Sequence, residues 1–70
     1  MPRMRSVESS CVAAAGYERA GEEVYIEYVD GDTYAYAPVP YVIWRAFQAA
    51  DSKGRFVNAV LKPNFPYRRV

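Results

Sequence analysis

Seventy residues carry nine basic and eight acidic side chains, a formal net charge of +1, and 51% of them are hydrophobic. That describes one small domain with apolar matter enough for a core, which argues against disorder and against a global field strong enough to announce nucleic acid. A single cysteine and no histidine exclude an intrachain disulfide and argue against zinc or haem, and no apolar run approaches the ~20 residues of a membrane span.

In chain order, residues 1–8 are polar and basic, with Pro2, Arg3 and Arg5, and read as a flexible tail. Residues 9–62 read as the single domain. Its first stretch, Ser9 to Tyr17, holds three alanines that favour helix by propensity. It is short, however, and a lone two-stranded hairpin is rarely stable, so a strand is predicted here with Val12 and Ala14 on its buried side. Glu18 to Glu23 is a charged turn.

Val24, Ile26 and Tyr28 then alternate with Tyr25, Glu27 and Val29, the period of a strand. Asp30-Gly31 supplies a turn, and Thr33 to Ala37 the returning strand. Two registers compete. A two-residue turn pairs Ile26 with Ala35, whereas a three-residue loop with Gly31 as bulge residue pairs Ile26 with Tyr34 and Val24 with Tyr36. Only the second gathers Val24, Ile26, Tyr28, Tyr34 and Tyr36 on one face. A one-residue slip would turn all of them outward, so the bulged register is predicted.

Pro40 opens a helix to Ala50, since proline at a first helical position loses no hydrogen bond. Ile43, Phe47 and Ala50 form its core stripe, with Tyr41 and Trp44 beside it. Ser52 can cap a second helix, Lys53 to Leu61, in which Phe56 and Val60 recur four apart, as do Val57 and Leu61. Pro63 is expected to end it. Residues 63–70, with Phe65, Tyr67 and Arg68-Arg69, read as an extended tail. The prediction is an α+β domain ordered β-β-β-α-α: a three-stranded antiparallel sheet with two C-terminal helices on one face. Its expected core is Val24, Ile26, Tyr28, Tyr34, Tyr36, Ile43, Phe47, Phe56 and Val60.

A set of landmarks in fixed order carries a resemblance. They are Ser9-Ser10, Gly16-Tyr17-Glu18, the Val24-x-Ile26-x-Tyr28 strand with Asp30-Gly31, Tyr34-Ala35-Tyr36, Val39-Pro40, and Ala50-Asp51-Ser52-Lys53-Gly54 with Phe56 and Asn58. Together they resemble the KTSC domain, known from the C-terminus of some lysyl-tRNA synthetases and as small stand-alone bacterial or phage proteins. The likeness spans roughly Ser9 to Tyr67. It implies no established activity; RNA binding is suggested by the attachment to a synthetase. Ala13 to Ala15 are smaller than the family tends to carry, and Ala59 to Lys62 is less basic.

Three features invite a functional reading. Ser52, Lys53, Gly54 and Arg55, with Asn58, place backbone N–H groups and two cations at a helix start, where a phosphate or carboxylate could sit. The same residues also make an ordinary cap and turn. Residues 33–70 hold six basic residues, Arg45, Lys53, Arg55, Lys62, Arg68 and Arg69, against the single acid Asp51, an asymmetry that suits an anionic partner. The tyrosines at 25, 28, 34 and 36, with Trp44, could stack bases, but the helix stripe favours core for Tyr28, Tyr34 and Tyr36, and only Tyr25, on the opposite face, is expected to be exposed. Cys11 lacks a histidine base, and Glu22, Glu23 and Glu27 read as a solvated edge. The sequence therefore predicts a cytoplasmic, non-catalytic binding module without cofactor or metal. RNA or another anionic partner comes first. A protein partner docking by a sheet edge or the Phe65–Tyr67 tail is the alternative, and the oligomeric state stays open.

Overall fold

A computed structural model describes residues 2–70, so Met1 of the expected tail lies outside it. The strands are β1 (Arg5–Ser6), β2 (Val12–Glu18), β3 (Glu23–Tyr28) and β4 (Thr33–Tyr36). Helix α1 (Tyr41–Ala49) follows, then α2 (Lys53–Phe56), a π-helical turn Val57–Leu61, α3 (Lys62–Asn64) and strand β5 (Tyr67–Arg69). The strands form one antiparallel sheet in the order β1-β2-β3-β4-β5.

The central hairpin takes the bulged register, Val24 opposite Tyr36 and Ile26 opposite Tyr34. Gly31 sits at φ 101° and donates its N–H to the Tyr28 carbonyl at 3.0 Å, a backbone geometry that a Cβ would strain. One face of the sheet contributes Val12, Ala15, Val24, Ile26 and Tyr36 to the core, closed from above by Val39, Phe47, Val57 and Leu61. Tyr28, Tyr34, Ile43 and Phe56 are partly buried against this cluster. Val60 is half-buried and lies outside it, and Tyr25, expected to be exposed on the opposite face, is buried at 7% exposure between paired strands, its hydroxyl donating to Glu23. Ala15 takes the place expected for Ala14, because the pairing of β2 with β3 shifts between Val12 and Ala14. A bulge adds one residue and so reverses which face the following side chains take.

Among the described residues the sheet has five strands where three are expected. Arg5–Ser6 pairs with Ala14 and Ala15, and Tyr67–Arg69 pairs with Tyr34 to Tyr36. The unpaired edges of a three-stranded sheet explain both additions, since backbone groups along an open edge need partners. On the β4 side, Ala37 N–H donates to the Pro66 carbonyl at 3.0 Å and Val70 N–H to the Thr33 carbonyl at 2.9 Å.

Pro63 does not end the second helical run, which continues to Asn64. The π-helical turn just before it accounts for this. Lys62 N–H reaches the Val57 carbonyl, five residues back, and the wider turn relieves the clash a proline ring makes with the carbonyl four residues behind it.

Candidate functional site

Ser52 caps α2 by accepting the Arg55 N–H at 3.2 Å. Ser52, Lys53, Gly54, Arg55 and Asn58 do come together, in an open cleft of about 430 Å³. Glu8 and Asp51 line it too, so its two cations face two carboxylates. Lys53 is moreover turned away from any ligand. Its ammonium donates to the Gln48 and Ala50 carbonyls at 2.9 and 2.6 Å, satisfying the C-terminal end of α1. Gly54 is buried against Cys11.

The remaining predicted cations are scattered. Arg68 pairs with Glu23 at 2.7 Å and Arg69 with Asp32 at 3.1 Å, on opposite faces of the sheet as consecutive strand residues must be. The Arg68 hydrogen bond, helped by that of Tyr25, holds the Glu23 carboxyl below its usual range and raises Arg68 in turn. Arg45 stands exposed on α1.

The tyrosines form a walled cleft rather than a platform. Tyr28, Tyr34, Tyr36 and Tyr67 line about 380 Å³ together with Cys11, Val29, Asp30, Asp32 and Lys62. Tyr28 and Tyr36 share a hydroxyl hydrogen bond at 2.6 Å, and burial raises the pKa of both. Tyr34 meets Tyr28 at 75° and Tyr67 at 65°. Rings set edge to face pack well with one another but present no continuous surface on which successive bases could stack.

A third cleft, of about 300 Å³, gathers residues that stand far apart in the sequence. Arg3, Arg5 and Arg19 line it with Tyr17, Tyr41 and Trp44. Strand β1 brings Arg5 beside Ala15, the β2–β3 turn supplies Arg19, and α1 lays its first turn across. The aromatic side is layered. Trp44 stacks on core Phe47 at 5.5 Å and 18°, and Tyr17 stacks on Trp44 at 5.6 Å and 13°. Tyr41 tilts against Tyr17 at 5.7 Å, and the Arg19 guanidinium lies 4.1 Å from the Tyr41 ring centre. The Tyr17 hydroxyl is anchored on the Val39 carbonyl at 2.7 Å. Burial, then the charge of Glu22, raises its pKa. Composition gives no hint of this grouping, because only the fold makes the arginines neighbours.

Cys11 has Ser9 Oγ at 3.8 Å as a polar neighbour, and the chain has no histidine to take its proton. Among the described residues no group of His, Cys, Asp or Glu is arranged to hold a metal ion, and no helix is long and apolar enough to cross a membrane.

The chain is 44% identical over 62 residues to a protein of Tsukamurella paurometabola, covering 89% of this chain and 92% of that one. It is 33% identical over 66 residues to an uncharacterized protein of Stutzerimonas stutzeri, covering 93% of each. The crystal structure of a KTSC domain protein from Yersinia pestis superposes with a TM-score of 0.90 at 33% identity, over 97% of this chain and 96% of that one. With the KTSC domain model also matching residues 8–65, the chain belongs to the KTSC domain family.

Proposed function

We propose that the chain is a non-catalytic module that binds RNA. One observation carries the reading. Arg3, Arg5, Arg19, Arg45 and Arg55 are exposed and make no ion pair or side-chain hydrogen bond among the described residues. Guanidinium groups without a carboxylate partner keep their donors for phosphate oxygens. Arg68 and Arg69, by contrast, would first have to leave Glu23 and Asp32. Among the described residues, Arg55 is the one uncommitted cation of the Ser52–Asn58 cleft. Titration of the chain with structured and single-stranded RNA at two salt concentrations tests the proposal. Binding at low salt that weakens steeply with added salt supports it, and no binding at low salt removes it.

A second reading rests on β5, which among the described residues is paired on one side only. A partner strand could add to its outer edge. The two adjacent arginines on so short an edge oppose that, since edge charges discourage strand addition, and the reading ranks second.

A further inference from the structure

We infer that the RNA-contacting site is the cleft of Arg3, Arg5 and Arg19 with Tyr17, Tyr41 and Trp44, and that its ligand is a single-stranded nucleotide segment. The assignment rests on the RNA reading above and names where and in what form the RNA is held. Two unlike requirements meet at this one place. A single strand offers flat base faces and a charged backbone, so its receptor needs an exposed aromatic surface beside uncommitted cations. Phe47, Trp44 and Tyr17 make a stacked column from core to surface. Tyr41 stands at its outer end, 38% exposed. The column is rigid because its base is in the core, so little order has to be gained on binding.

Arg19 rests on the Tyr41 ring, which orients the guanidinium without consuming its N–H donors. Arg3 and Arg5 line the same cleft. Glu18 and Glu22 share the Arg19 turn, but the Glu18 carboxylate is turned to the Gly21 N–H at 2.8 Å, and neither lines the cleft. Two other clefts among the described residues lack this pairing. Among the described residues the Ser52–Asn58 cleft has no aromatic wall and two carboxylates. The tyrosine cleft is lined by Lys62 together with Asp30 and Asp32, and its ring pairs meet at 43°, 65° and 75°. A duplex would hide the base faces that the column serves, which is why the ligand is single-stranded.

The test uses the full chain and a short labelled uridine oligonucleotide. Trp44 is the only tryptophan, so its emission reports on the cleft directly while anisotropy reports affinity. Arg3, Arg5, Arg19 and Tyr41 are exposed, and circular dichroism verifies that their variants fold. The triple variant R3A/R5A/R19A should lower the dependence of log affinity on log salt by about 2, at ~0.7 for each phosphate no longer neutralised. Tyr41→Ala should weaken binding by roughly fivefold or more. Oligonucleotide binding should quench Trp44, and Lys62→Ala, in the separate tyrosine cleft, should leave that quenching in place. If the oligonucleotide binds but the triple variant keeps wild-type affinity and salt slope, the site assignment falls while the RNA reading stands. Equal affinity for a duplex, or saturation without change in Trp44 emission, also overturns it. No oligonucleotide binding at low salt removes the RNA reading itself, and this assignment with it.

Discussion

A Cβ added to Gly54 would overlap the sulfur of Cys11. The glycine of the Ser52–Asn58 candidate anion site is thus a packing requirement between α2 and the loop before β2. Gly54 lies inside a helix, where alanine would ordinarily stabilise by about 1 kcal/mol. Here Gly54→Ala should instead destabilise, by about 1–3 kcal/mol, as overpacking does. In a Cys11→Ala background the same change should cost less or turn favourable. Urea denaturation of the four-member cycle measures the coupling, and additive single effects would show that the contact does not constrain the helix.

The hydroxyls of Tyr28 and Tyr36 satisfy each other at 2.6 Å, with Tyr36 only 1% exposed. Replacing one by phenylalanine leaves the other hydroxyl without this partner, a cost of about 1–3 kcal/mol. Y28F/Y36F should therefore be closer to wild type than the sum of the single variants. Burial raises both phenols above their ordinary value of 10.0. The sign follows: the neutral form is favoured in the folded state, so this stability is intact below pH 10 and lost as pH rises beyond it. Stability measured across the alkaline range should fall less steeply in Y28F/Y36F than in wild type.

The hairpin register is legible in the residues because burial of Val24, Ile26 and Tyr36 decides between two alternatives that differ in every side chain's direction. The edge strands are not. Arg5–Ser6 and Tyr67–Arg69 span two and three residues, too few for a period of two to show, and what places them is the open edge of β2 or β4 rather than their own pattern. The helical continuation past Pro63 is hidden for a related reason, since a π-helical turn has no signature in the residue order. Nor does charge counted by sequence half single out Arg3, Arg5 and Arg19. Strand pairing moves the N-terminal arginines onto the aromatic end of α1, across the boundary between the two halves.

Glu23 ties β3 to the outermost strand through Arg68, with Tyr25 donating to the same carboxylate at 3.0 Å. The pair lies below the sheet, away from the helices, and helps hold β5 in place. Because the Glu23 pKa lies below its ordinary 4.5, its contribution is complete above that value and disappears as pH falls through the folded-state pKa. Glu23→Gln should flatten the acid limb of the stability curve. Amide exchange of Tyr67 to Arg69 should also speed up in that variant at neutral pH. Unchanged exchange there would mean that backbone pairing alone holds the strand.

Phe47 joins the core to the arginine-lined cleft. It is 2% exposed, meets Phe56 at 5.8 Å, and carries Trp44 stacked on its other side. Phe47→Ala should cost about 3–5 kcal/mol, enough to unfold much of the population of so small a domain. Phe47→Leu keeps most of the volume and should remain folded, yet it removes the flat ring under Trp44. Its signature should be a modest loss of stability with a red shift of Trp44 emission, because the indole is no longer held against the core. If the column pre-organises the cleft, Phe47→Leu should also weaken oligonucleotide binding although residue 47 touches no ligand, and Phe56→Leu, on the far side of the same ring, should weaken it less. Equal losses from both would mean that global stability, rather than the stacked column, governs the cleft.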